Sequence, residues 1–272
     1  MCLQTPIVTG NFYRNVLAQK KGRKTEKPDF QALQFGCVFQ DKGAPLDVVV
    51  AIIDGTLQKN AQPVHNQRLV FNGWKRMHCL KYHAVLSPDG LVIHVYGPVD
   101  GRRHDKTVFK QSGLSDLLAK HFWDPNGNAL YLYGDLGYSI GPHILCPYKG
   151  PVLTAEQKKF NFRMSRVWQP VEWIFKEVNQ QFKFLDFSWS QKILLTPCAL
   201  FYMVALLLCN AHTILHIPQI PQYFSCNPPS LEEYFIGGPI KDAQLDQWCL
   251  DSPWEEVQVE DEQAINNGIS QV

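Results

Sequence analysis

The sequence has no Cys-x-x-Cys pair, although it holds eight cysteines in 272 residues. Scattered singly from Cys2 to Cys249, they make neither a zinc framework nor the disulfide lattice of a small secreted domain. No charged-then-apolar segment opens the chain as a signal peptide would, so a reducing compartment, cytosol or nucleus, is expected. The most apolar stretch, Cys198 to Cys209, lies between Pro197 and Asn210. It is short for a bilayer span; it reads as a buried helix, and no membrane partner is expected. There is no Gly-x-x-x-x-Gly-Lys word to cradle a nucleotide phosphate and no internal repeat. Net charge is nearly absent at +1, so total charge argues for no partner.

What is present is a globular composition, long enough for one large domain or two small ones. Six acids and no Lys or Arg fall in residues 251–262, which leaves 26 basic against 19 acidic residues elsewhere. A basic body with an acidic tail suits a nucleic-acid binder; an ordinary protein with a solvated tail explains the same counts. Residues 1–34 read as a basic flexible arm, with the cluster Lys20-Lys21-Gly22-Arg23-Lys24. Such a cluster serves as a nuclear address, as a phosphate contact, or as a solvated run. Residues 237–272 read as an acidic tail.

The β-branched run over residues 48–53 predicts a strand buried on both faces, ending in a turn at Asp54-Gly55. A hairpin follows, with strands over 82–86 and 91–96 around Ser87-Pro88-Asp89-Gly90. A further strand over 129–133 ends at Gly134-Asp135. Trp168, Val171, Phe175, Val178 and Phe182 recur at spacings of three and four, which predicts an amphipathic helix with Pro170 in its first turn. A second apolar helix covers about 197–215, and the Pro-rich residues 217–229 read as a linker or packed loop. Strands first and helices later give an α/β domain with a mixed sheet.

Asp54 and Asp135 share a setting at the carboxyl ends of strands, where open α/β sheets place their sites. Glu172 lies on or beside the apolar stripe of the first helix, where a charge must be paired, bound to metal, or at the edge of the buried face. Together they form the hard oxygen set that Mg²⁺ or Mn²⁺ takes. Two such ions can hold the attacking and leaving oxygens of a phosphodiester. Taken singly, each Asp is equally an ordinary turn residue, and Glu172 a structural ion-pair partner. A glycosidase reading uses two acids and leaves the third, with the basic clusters, without a role.

The words around these acids are more specific. Ile53-Asp54-Gly55-Thr56 is followed by Gln67-Arg68 and by Phe71-Asn72-Gly73-Trp74-Lys75-Arg76-Met77-His78. Then come Gly97-Pro98-Val99-Asp100-Gly101-Arg102-Arg103-His104-Asp105 and Tyr133-Gly134-Asp135-Leu136-Gly137-Tyr138. Leu153-Thr154, Phe160-Asn161-Phe162-Arg163-Met164-Ser165, Val171-Glu172-Trp173-Ile174-Phe175 and Pro228-Pro229-Ser230-Leu231-Glu232-Glu233-Tyr234-Phe235 complete the series. In this order the set resembles the DDE superfamily endonucleases of PIF/Harbinger-type transposons, over about residues 35–236.

The resemblance implies a ribonuclease-H-like mixed sheet flanked by helices, with a helical C-terminal extension, and a nuclease domain over 35–236. It implies cleavage of double-stranded DNA with Mg²⁺ or Mn²⁺ by a two-metal mechanism. The family's catalytic, metal-binding acids fall on Asp54, Asp135 and Glu172, with 36 residues between the last two. His104 and Asp105 match its His-Asp word as accessory residues, Asp105 being a second choice for the second metal ligand. Lys75, Arg76, Arg102, Arg103, Lys158, Lys159, Arg163 and Arg166 are the candidate DNA contacts. The resemblance further implies a nuclear protein acting as a homo-oligomer. Fewer than 50 residues precede the first strand, too few for the helical DNA-binding module such proteins usually carry, so a separate DNA-binding partner protein is expected. Trp74 stands where His is common, Lys176 where Gly is usual, and Leu136 where a small residue or Pro is usual. These departures define the alternative: a domesticated or decayed transposase domain serving as a non-catalytic DNA- or protein-binding module.

Overall fold

A computed structural model describes residues 30–235, Leu194 excepted. The basic cluster at 20–24 and the acidic tail at 237–272 lie outside the described residues. Contacts divide the chain into two units, Met1–Tyr234 and Phe235–Val272; of the second, Phe235 alone is described. In chain order the elements are α1 (Phe30–Asp41), β1 (Val49–Lys59), α2 (Gln67–Val70), β2 (Phe71–Asn72), β3 (Met77–Leu86) and β4 (Val92–Asp100). Then follow α3 (Asp105–Gln111), α4 (Leu114–His121), β5 (Tyr131–Gly134), β6 (Ile144–Leu145), α5 (Ala155–Trp168) and α6 (Pro170–Gln181). A 3₁₀ turn at Lys183–Leu185 leads to α7 (Cys198–His216), α8 (Gln219–Phe224) and α9 (Leu231–Phe235).

The result is a mixed α/β sheet flanked by helices. β1 is central: β3 pairs with it antiparallel and β5 parallel. β4 continues the sheet beyond β3, and β6 beyond β5. That double pairing is why Val49 to Ile53 are all buried, as the β-branched run requires. The run does not end in a turn at Asp54-Gly55, as the sequence suggested. β1 continues to Lys59 because β3 pairs with it out to Lys59↔Cys79, whereas pairing with β5 stops at Ile53↔Gly134. Asp54 therefore sits within a strand, at the point where that strand loses one neighbour.

The hairpin turn forms as expected. The Ser87 hydroxyl and the Leu91 N–H both bond the Asp89 carboxylate, and Gly90 takes the positive φ of 82° the turn requires. On α7, Cys198, Tyr202, Met203, Leu206, Cys209, Asn210 and Thr213 are buried, and the helix packs on β4 and α6. Asn210 binds strand β4 directly: its Oδ1 accepts from the Val92 N–H at 2.9 Å, and its Nδ2 donates to the Val92 carbonyl at 2.8 Å and to the Tyr234 hydroxyl at 2.7 Å. At 19 residues with mean hydropathy 1.9, α7 has the extent the sequence suggested, and by length and composition alone it is long enough to cross a bilayer.

Two further expectations are corrected, and an open one is decided. α1 begins at Phe30, within the stretch read as a flexible arm, because Phe35 and Phe39 give it a buried face. The helix expected from Trp168 to Phe182 runs from Pro170, in its first turn as expected, to Gln181; Trp168 instead ends the preceding helix α5. Of the two readings of residues 217–229, the packed one holds: α8 buries Ile220, Pro221 and Phe224, and Phe224 meets Phe39 edge-on at 5.1 Å.

Candidate active site

Asp54 and Asp135 follow the last paired residues of two parallel strands, Ile53 and Gly134. Their carboxylates leave the sheet at the same place, each tied to the backbone just after it. The Gly55 N–H donates to Asp54 Oδ1 at 2.7 Å, and the Gly137 N–H to Asp135 Oδ1 at 2.8 Å. A third acid joins them. Asp105, the first residue of α3, lies so close that a Cβ on Gly55 would stand 2.1 Å from its Oδ1, and one on Gly137 would stand 2.9 Å from its Oδ2 and 3.0 Å from Asp135 Oδ1. The two glycines thus serve close approach, not turn geometry. Asp105 Oδ1 also lies 2.9 Å from Lys81 Nζ, on β3. That contact lacks hydrogen-bond alignment.

This crowding has an electrostatic consequence. Burial pushes the Asp54 carboxyl up to about 8, and the neighbouring charges of Asp135, Asp105 and Glu172 push the same way against the Gly55 hydrogen bond. Burial likewise raises Asp135, with Asp105 adding to it and Lys81 opposing. An acid whose folded pKa is raised stabilises the fold fully below its unfolded value, and that stability is lost as pH climbs through the folded value. Metal-free protein is therefore expected to lose stability between about pH 4 and 8 through Asp54. Buried His83 and His94, both lowered chiefly by desolvation, act oppositely in the lower part of that window. The difference between wild type and Asp54→Asn isolates the aspartate. In EDTA, the variant's melting temperature relative to wild type should rise from pH 5 to pH 8; a constant difference would contradict the raised carboxyl.

Glu172 lies in the first turn of α6, where an acid suits the helix dipole. It is exposed, beside the apolar stripe rather than on it. Val171, Ile174, Phe175 and Val178 form the buried stripe, and Glu172 falls on its flank, near enough to act on Asp54. Among the basic candidates, Lys75, Arg76, Arg102, Lys158, Lys159 and Arg166 are exposed. Arg103 pairs with Asp100 at 3.3 Å. Arg163 Nε donates to the Gly43 carbonyl at 2.8 Å, tying α5 to the end of α1; that nitrogen is engaged within the fold rather than open to phosphate. His104 is exposed and its side chain does not cap α3.

Sequence reasoning passed over Lys81 and Lys149, whose ammonium bonds the Leu136 carbonyl beside Asp135. The signal for Lys81 was a lone charge within the apolar run from Cys79 to Leu86. It also passed over a Gly-x-Ser-x-Gly word at Gly137–Gly141. This word lies in the loop between β5 and β6, not on the strand-to-helix elbow that exposes a serine nucleophile.

The donors are all carboxylates, and the negative charge around Asp54 is incompletely compensated. Those features fit a hard divalent cation. Among the described residues no three His, Cys, Asp or Glu side chains already converge on one point, so a closed set requires Glu172 to turn inward.

A family model described as DDE superfamily endonuclease matches residues 53–210, which contain all four acids. Protein ALP1-like from Arabidopsis thaliana is 26% identical over 113 residues, 38% of this chain. The match spans 28% of that relative's length. No solved structure matches.

Proposed function

The chain belongs to the DDE superfamily endonucleases, and from that membership we propose that it is a divalent-metal-dependent DNA endonuclease of the PIF/Harbinger transposase type, with a ribonuclease-H-like domain over residues 35–236. The observation that carries this reading is the meeting of Asp54 and Asp135 at the end of one parallel strand pair, with Glu172 in electrostatic reach. A central strand between an antiparallel hairpin and parallel strands supports the fold assignment. Asp54, Asp135 and Glu172 would hold Mg²⁺ or Mn²⁺, which when bound supply a nucleophile at neutral pH and charge to stabilise a leaving 3′-oxygen. The chain's own contribution is placement. Gly55 and Gly137 hold one oxygen of each aspartate by a backbone N–H. Lys158, Lys159 and Arg166 present charge to a DNA backbone without reading bases. Double-stranded DNA is the substrate, the nucleus its compartment, and a homo-oligomer with a separate DNA-binding partner the working assembly.

The second reading, a non-catalytic DNA- or protein-binding module, is favoured by the absence of a preformed three-ligand cluster among the described residues. One assay separates the two. Purified protein should nick supercoiled plasmid with Mg²⁺ or Mn²⁺ and not with EDTA. A folded protein that binds the plasmid with metal present and leaves it supercoiled would favour the module.

A further inference from the structure

Among the described residues, Lys81 is the one Lys or Arg that is buried, its side chain 9% exposed. It stands on β3 opposite Leu57 and reaches towards the acids. Its Nζ contacts Asp105 Oδ1 at 2.9 Å and donates to the Arg103 carbonyl at 2.9 Å. Gly55 makes room for the pair, since a Cβ there would meet Asp105 Oδ1 at 2.1 Å and Lys81 Cε at 3.2 Å. Taking an ammonium and a carboxylate out of water is costly, and an apolar pair of similar size would often be as stable. Structure alone thus gives no reason for a charge at this position, whereas three crowded aspartates do.

We propose that Lys81 is a positioning residue of the metal centre: a tethered cation that holds Asp105 out of the ligand set and competes with a divalent ion for the field of Asp135. The proposal rests on the metal-dependent reading above. Removing the ammonium acts twice in the same direction. It removes a positive charge that repels the incoming ion, and it frees Asp105 as a further oxygen ligand. Removing the Asp105 charge does the reverse, because Lys81 then loses its partner and is left to Asp135.

The test is calorimetric titration of the metal-free full chain with MnCl₂, for wild type, Lys81→Met, Asp105→Asn and the double variant, with melting curves in EDTA alongside. Lys81→Met should bind Mn²⁺ roughly tenfold more tightly, the scale of changes beside metal ligands, although its metal-free form melts lower. Asp105→Asn should bind more weakly than wild type, and the double variant should return towards it. A purely structural ion pair predicts the lower melting temperature without the tighter binding. If wild type binds Mn²⁺ and Lys81→Met binds no better, the inference fails and the metal-dependent reading stands. If neither binds, both fail. Should Lys81→Met not fold, Asp105→Asn decides: affinity equal to or above wild type overturns the proposal.

Discussion

Asp135→Ala is expected to lose metal-dependent nicking by at least about a thousandfold, the scale seen when charge stabilisation at a reacting centre is removed, while its fold persists. Asp54→Ala should behave alike. Both aspartates are half-buried side chains whose surroundings raise their pKa, so the fold bears a cost for keeping them charged. Neither makes a side-chain hydrogen bond outside the two or three residues that follow it. Removing one therefore relieves crowding rather than opening a hole in a network. Far-UV circular dichroism should be unchanged and the melting temperature in EDTA equal or higher, the usual relation between a functional acid cluster and stability. Glu172→Gln should lose activity too, with less effect on melting because Glu172 is exposed. Nicking retained in Asp135→Ala would refute the assignment of the second aspartate and turn attention to Asp105.

The largest effect on stability is expected from Asn210→Ala. Asn210 is fully buried, and its amide satisfies both the N–H and the carbonyl of Val92 on β4 while donating to Tyr234. β4 pairs with β3 and has no second strand neighbour. The Asn210 side chain thus gives Val92 hydrogen-bond partners from outside the sheet. Truncation removes three buried hydrogen bonds, at about 0.5–1.5 kcal/mol each, and leaves a small cavity. A loss of roughly 3–4 kcal/mol corresponds to a fall in melting temperature of about 10 °C for a domain of this size. Leu208→Ala on the exposed side of α7 should move it little. If both variants melt alike, water rather than Asn210 satisfies the strand edge.

The parts legible in the sequence were those with local causes. Val49 to Ile53 announce a doubly covered strand. Ser87-Pro88-Asp89-Gly90 announces a turn. Pro170 marks the start of α6. The extent of β1 past Asp54 was not legible, because it depends on β3 remaining paired after β5 has ended. The exposure of Glu172 was left open because a stripe at spacings of three and four locates a face only coarsely. Asp105 was singled out only through its His-Asp word, while its place between Gly55 and Gly137 is a tertiary fact. The engagement of Arg163 with Gly43, 120 positions apart, has no local signature.

By itself, then, the sequence determined which acids this protein carries, which elements bear them and the family to which they belong, because side-chain identity and short-range periodicity are written along the chain. The tertiary structure alone decided that Asp105 comes between Gly55 and Gly137, close to Asp135, that Lys81 supplies its cation, and that Glu172 is exposed. Those are distances between residues tens of positions apart. They are set by which strands pair and where the pairing stops, which no stretch of one strand can specify.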